Sequence, residues 1–169
     1  MKMNFKSTLL TTNQTPGINE DKFIIYHHTA TQEGTIKGVL NTLTKGTVSA
    51  HFVIDTNGDT YKINTPEDIL WHAGESSWGN LTDMNKYSIG IEVVGPLSNG
   101  RFTDLQRRAL KELTIHLMQN YKIPVQNVLR HKDIAPKRKI DIADTLWNDE
   151  FQSFDDWKKA KLLLQNNVG

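Results

Sequence analysis

The chain of 169 residues contains no cysteine, which removes disulfides and thiolate metal ligands together and leaves the redox compartment open. No window approaches the roughly 20 apolar residues needed to span a bilayer. The polar start, Met1 to Gln14, lacks the continuous apolar core of a signal peptide. Membrane insertion and classical export are therefore not expected. Charge of one sign is lacking too: 20 Lys and Arg stand against 19 Asp and Glu, a net charge of +1. That balance argues against a nucleic-acid partner or an anionic membrane surface. No internal repeat and no Gly/Ser/Pro-rich linker divides the chain. With 37% hydrophobic and 23% charged residues, the composition is that of one ordinary globular domain with a proper core.

What is present reads as alternating strands and helices. Residues 1–20 form an irregular lead-in with a turn at Pro16-Gly17, and a single domain covers residues 21–169. Phe23 to His27 is a buried strand. Ile36, Val39, Leu40 and Leu43 fall at i, i+3, i+4 and i+7, the stripe of an amphipathic helix. His51 to Asp55 and Thr60 to Ile63 flank Asn57-Gly58, a strong hairpin signal. A long loop, Asn64 to Lys86, precedes an interior strand over Ile89 to Val94. Thr103 and Gln106 form a capping box that opens a helix to about Tyr121, with Leu105, Ala109, Leu110, Leu113 and Leu117 as its apolar face. A short strand at Val128 to Arg130 follows. Ser153 caps a last helix that turns Phe154, Trp157, Ala160 and Leu164 inward. The pattern predicts a three-layer α/β domain with a mixed β-sheet flanked by helices.

Two segments carry the chemistry. Tyr26-His27-His28-Thr29-Ala30 and Arg130-His131-Lys-Asp-Ile-Ala-Pro-Lys-Arg-Lys-Ile-Asp141 each place histidine at the end of an apolar strand, and the second adds a carboxylate. Two imidazoles and a carboxylate give three nitrogen and oxygen ligands and leave a fourth zinc position open, the make-up of a catalytic zinc site. Glu92 lies in an otherwise apolar strand, where it either faces inward to a partner or outward to solvent. Lys137 and Arg138 read as a solvated basic loop. Trp78, Trp147 and Trp157 read as packing residues.

Taken with Ser49-Ala-His-Phe-Val-Ile, Trp71-His-Ala-Gly and Asn85-Lys-Tyr-Ser-Ile-Gly-Ile-Glu92, these segments resemble the type 2 N-acetylmuramoyl-L-alanine amidases. That family shares its fold with T7-like lysozymes and peptidoglycan recognition proteins. The match runs in order from about residue 21 to 147. The resemblance implies zinc held by His27, His131 and Asp141, with Asp141 standing where phage and animal relatives often carry cysteine. It implies Glu92 as general base and Lys139 as the cation that stabilises the oxyanion. Neighbouring strand residues face opposite ways, so His28 is expected in the groove rather than on the metal. Trp71 and His72 are expected to line the groove, with Asn85 supporting that wall. The substrate implied is peptidoglycan or a muropeptide, met by a monomer. The setting implied is either the cytoplasm or the cell wall after release by a route without a signal peptide, as for a phage lysin. The alternative is a recognition module that binds peptidoglycan without cleaving it.

The chain also departs from the family pattern. Ala50 stands where many relatives have tyrosine. Ile142-Ala-Asp-Thr-Leu-Trp147 replaces the Pro-Gly that commonly follows the metal aspartate. Asp55-Thr-Asn-Gly occupies a hairpin in which some recycling amidases carry arginines.

Overall fold

The computed structural model describes residues 2–8, 10–30 and 35–163. In chain order its elements are β1 (Lys6–Ser7), β2 (Gln14–Thr15), β3 (Phe23–His28), α1 (Ile36–Lys45), β4 (Phe52–Ile54), β5 (Thr60–Lys62), β6 (Ile69–Leu70), β7 (Ser77–Trp78), β8 (Leu81–Thr82), β9 (Ser88–Val93), α2 (Asp104–Tyr121), β10 (Val128–Arg130), α3 (His131–Ile134) and α4 (Phe154–Lys158). The central sheet runs β1-β5-β4-β9-β3-β10. The β4–β5 hairpin is antiparallel and the other pairings are parallel, so the sheet is mixed as expected. No helix among the described residues is long and apolar enough to cross a membrane.

The period-2 alternation of the strands sorts the sheet into two unlike faces. Ile24 and Tyr26 of β3, Phe52 and Ile54 of β4, and Ile89, Ile91 and Val93 of β9 pack in one cluster with Ala109, Leu110, Leu113 and Leu117 of α2. Trp147, Phe154, Trp157 and Leu162 complete that cluster. The buried Tyr26 hydroxyl finds a partner in Thr114 of α2. On the opposite face, Phe23 and Ile25 pack with Ile134 of α3, and Val53 packs with Val39 and Leu43 of α1. Parity puts Ser88, Gly90 and Glu92 of β9 on this second face together with His27.

The capping box of α2 forms from both sides: the Thr103 hydroxyl accepts from the Gln106 amide at 3.1 Å, and Gln106 Oε1 accepts from the Thr103 amide at 3.0 Å. Gln106 Nε2 then donates to the Val94 carbonyl at 2.7 Å, tying the helix start to the end of β9. Leu105 corrects the expected apolar face, because it is 53% exposed. It packs over the hairpin turn, where a Cβ at Gly58 would meet it at 3.1 Å, and not against the sheet. Ser153 caps α4 through the Asp156 amide, after which the chain widens into a π turn over Lys159–Leu163. Leu162, five residues beyond Trp157, therefore takes the inward place, Ala160 is half-buried, and Leu164 lies outside the described residues.

Two further readings change. The lead-in supplies β1, which adds a parallel edge to β5, and β2, which pairs with β6. Strands this short leave no periodicity to read. Trp78 is not a packing residue: it sits on the β7–β8 hairpin and is 40% exposed. Trp147 does pack, with ring centroids 4.7 Å from Phe154 and 6.5 Å from Trp157. Trp147→Ala should lower the unfolding free energy by about 3–5 kcal/mol, measured by urea denaturation.

Candidate active site and metal centre

β3 and β10 are parallel neighbours, so the histidines at their C-terminal ends emerge at one edge of the sheet. His27 is the fifth residue of β3, and His131 opens α3 directly after β10. The segment carrying Asp141 is fastened back by the Lys132 amide, which donates to the Asp141 carbonyl at 2.8 Å. His27 Nδ1 lies 2.9 Å from His131 Nδ1. Asp141 Oδ2 lies 3.1 Å from His131 Nδ1 and 3.4 Å from His27 Nδ1. His27, His131 and Asp141 are all buried.

The chemistry of this donor set fits a metal ion. His131 Nε2 is 3.0 Å from the Ala73 carbonyl oxygen, which can only accept. A neutral His131 ring therefore carries its proton on Nε2 and turns the Nδ1 lone pair toward the carboxylate. Burial, above all, lowers the His27 imidazole to about 4 although Asp141 opposes the shift, so His27 is neutral at physiological pH. Asp141 contributes a carboxylate, which offers only oxygen lone pairs when ionised. Nδ1 lone pairs and an ionised oxygen repel one another at these distances unless a cation lies among them. Nitrogen and oxygen ligands suit a borderline divalent ion.

Glu92 stands in register with His27 across the β3–β9 pairing, on the same face of the sheet. Its Oε2 is sealed from solvent and has no hydrogen-bond partner in the protein, an arrangement that costs free energy unless a reacting group or water supplies one. Burial, and after it the Asp141 charge, push the Glu92 carboxyl up to about 8, with Lys139 opposing. Glu92, Lys139 and the three candidate ligands line one groove of about 460 Å³, walled on one side by Val39 and Leu43 of α1.

The remaining candidates divide. His28 lines the groove, and its Nδ1 accepts from the Ala143 amide at 3.0 Å, anchoring the segment in which the sequence departs from the family. Ile142, Leu146 and Trp147 of that segment are buried in the main core. His72 lines the groove while packing its ring edge-on to His27 at 5.2 Å. Trp71 does not line it. Adjacent to His72, it faces the other way, and its indole donates to Thr15 at 3.1 Å. Asn85 lies beneath the wall, where its Oδ1 accepts from the His72 and Ala73 amides at 3.0 and 2.7 Å.

Sequence reasoning missed two contributors. Arg138 is not merely solvated: its guanidinium donates to the Ala73 and Glu75 carbonyls at 2.9 and 2.8 Å. Contacts to backbone oxygen leave no residue pattern to find. Gly90 is needed for space, since a Cβ there would lie 2.4 Å from His72 Cγ. The alternation Ser88, Gly90, Glu92 held that signal, as a polar and small face in an otherwise apolar strand.

Two measurements test this description. Gly90→Ala must displace the His72 ring or the strand, and a loss of about 1–3 kcal/mol is expected by urea denaturation. For Glu92 the folded value of about 8 exceeds the ordinary 4.5, so between those values the folded protein holds a proton that the unfolded chain has lost. The contribution of Glu92 to the stability of the chelator-treated protein therefore falls as pH rises through that window. Glu92→Gln has no proton to lose. Its urea midpoint should exceed the wild type's by a margin that grows from pH 4.5 to 8, and a constant margin would contradict the raised pKa of the Glu92 carboxyl.

Known proteins share this architecture. The 1,6-anhydro-N-acetylmuramyl-L-alanine amidase AmpD of Haemophilus influenzae is 44% identical over 96 residues, covering 56% of this chain and 51% of that protein. The complex of the Escherichia coli N-acetylmuramyl-L-alanine amidase AmiD with the substrate anhydro-N-acetylmuramic acid-L-Ala-D-gamma-Glu-L-Lys superposes with a TM-score of 0.68 at 31% identity, over 79% of this chain and 57% of that one. A mutant endolysin from Bacillus subtilis superposes with a TM-score of 0.70 at 26% identity, over 95% of this chain and 99% of that one. The chain spans about half the length of the curated relatives it matches. Residues 18–144 match the family described as N-acetylmuramoyl-L-alanine amidase, and the chain belongs to that family.

Proposed function

We propose that this protein is a zinc-dependent amidase that cleaves the bond between N-acetylmuramic acid and L-alanine in peptidoglycan or muropeptides. The observation that carries the reading is the convergence of His27 Nδ1, His131 Nδ1 and Asp141 Oδ2 in one groove with the unpartnered Glu92 carboxyl. His27, His131 and Asp141 would hold the zinc, which when bound acts as a Lewis acid that polarises a carbonyl and lowers the pKa of water from ~15.7 to about 7. Membership in the family and the substrate complex of the Escherichia coli relative support the choice of bond.

The chain's own residues then divide the work. A cation held by the three ligands would favour the ionised form of the neighbouring Glu92 carboxyl, which then accepts a proton from the water that adds to the lactyl carbonyl carbon. Its raised pKa suits it to hold that proton and to deliver it to the leaving L-alanine nitrogen as the C–N bond breaks, so protons balance over the cycle. The Lys139 ammonium supplies positive charge beside the developing oxyanion, a contribution of about 3 kcal/mol for a well-placed donor. His28 contacts the substrate at the groove wall, and the apolar side chains of Val39 and Leu43 exclude water from the reacting end.

Purified protein incubated with intact sacculi and, separately, with soluble muropeptides should release peptides bearing a free L-alanine amine, identified by mass spectrometry. Chelator should abolish the release, and the preferred substrate separates a wall lysin from a recycling enzyme. Products cleaved at another bond, or a rate unchanged by chelator, would sink the proposal. Glu92→Gln should lower kcat by about 10²–10⁴-fold with little change in KM, whereas His27→Ala should lose bound zinc and activity together.

A further inference from the structure

A neutral imidazole carries one N–H, and only its bare nitrogen can bind a metal. For His131 the choice is made by a backbone carbonyl, that of Ala73. Among the described residues no such acceptor meets His27. Its Nε2 lies 3.0 Å from His72 Nδ1, and a contact between two ring nitrogens does not by itself say which one donates.

The next contact along decides it. His72 Nε2 lies 3.3 Å from the Ser88 carbonyl oxygen and 3.3 Å from Ser88 Oγ. The carbonyl can only accept. The Ser88 hydroxyl donates its proton to the Met84 carbonyl at 2.6 Å, so toward His72 its oxygen also accepts. The His72 proton therefore sits on Nε2 and its Nδ1 is bare. His27 must then donate from Nε2, which leaves His27 Nδ1 bare and turned toward His131 and Asp141. We infer that His72, anchored by Ser88, is a positioning residue that fixes the tautomer of the metal-binding His27. The inference rests on the reading of His27, His131 and Asp141 as a metal centre.

The surroundings are built for this relay. Gly90 leaves the space that the His72 ring fills. The ring is buried, which keeps water from replacing either contact. Asn85 Oδ1 holds the amides of both His72 and Ala73, so one carboxamide aligns the side chain that orients His27 and the carbonyl that orients His131. Neighbouring residues of a single loop thus set both histidines. His72 has no ring nitrogen left over for a substrate, which moves it from the groove-binding role expected of it to a supporting one.

The test compares His72→Asn, whose Oδ1 can stand in for the accepting Nδ1, with His72→Leu, which has similar branching and no acceptor. In the metal-depleted full chain, ¹⁵N-resolved imidazole spectra should show His27 protonated at Nε2 in the wild type and in H72N, and a loss of that preference in H72L. Zinc affinity, read by competition with a chromophoric chelator, should fall about 10–100-fold in H72L and stay near wild type in H72N. A merely structural His72 would weaken both variants alike without moving the tautomer. Wild-type His27 protonated at Nδ1, or H72L with wild-type zinc affinity, overturns the inference. Should H72L fail to fold, the wild-type spectrum and H72N decide it. A wild type that takes up no zinc would defeat the metal reading instead, and the spectra would still report on the relay.

Discussion

Three electron-rich atoms, His27 Nδ1, His131 Nδ1 and Asp141 Oδ2, are held within 3.4 Å of one another in a buried pocket, where electrostatic repulsion is weakly screened. Left free, they would separate or take up a proton. The surrounding structure keeps them together and bare. Parallel pairing of β3 and β10 fixes the two histidine positions, the Lys132–Asp141 backbone bond returns the carboxylate, and neutral partners behind each ring occupy the nitrogen that faces away. Holding such atoms together costs stability for as long as no cation lies among them.

That cost falls on one face of the sheet. The groove face exchanges central apolar positions for Ser88, Gly90 and Glu92, and it accepts a carboxyl oxygen without a partner. The opposite face carries the compensating burial: Tyr26, Phe52 and the isoleucines of β9 against α2, closed by Trp147, Phe154 and Trp157. The two faces are separated by nothing more than residue parity along the same strands. Gln106 joins them, since the helix on the stable face caps itself and also grips the carbonyl of Val94, two residues beyond Glu92.

Much of this was legible in the chain. The strands expected at Phe23 to His27 and Ile89 to Val94, the Thr103–Gln106 capping box, the Ser153 cap and the Asn57-Gly58 hairpin are local patterns, and each formed within a residue of where the chain placed it. The family resemblance identified the residues that converge, which local pattern alone could not, because His27 and His131 are 104 positions apart. What escaped was non-local or carried by backbone. Leu105 has helical spacing but faces a turn brought over it by the hairpin. Trp71 and His72 are adjacent, and only the path of the loop decides which of them turns inward. Two-residue strands such as β1 and β2 have no periodicity, and the guanidinium of Arg138 binds carbonyls that every residue possesses.

The Ala73 carbonyl accepts hydrogen bonds from two sides, His131 Nε2 and the Arg138 guanidinium. Being main chain, it survives every single substitution at position 73 as a chemical group, whereas the corresponding anchor of His27 is the His72 side chain and disappears with one codon change. The two histidines of the candidate centre are thus unequally protected against mutation. Drift in this lineage would be expected to erode the centre from the His27 side, while His131 would keep its orientation for as long as the loop backbone holds its course.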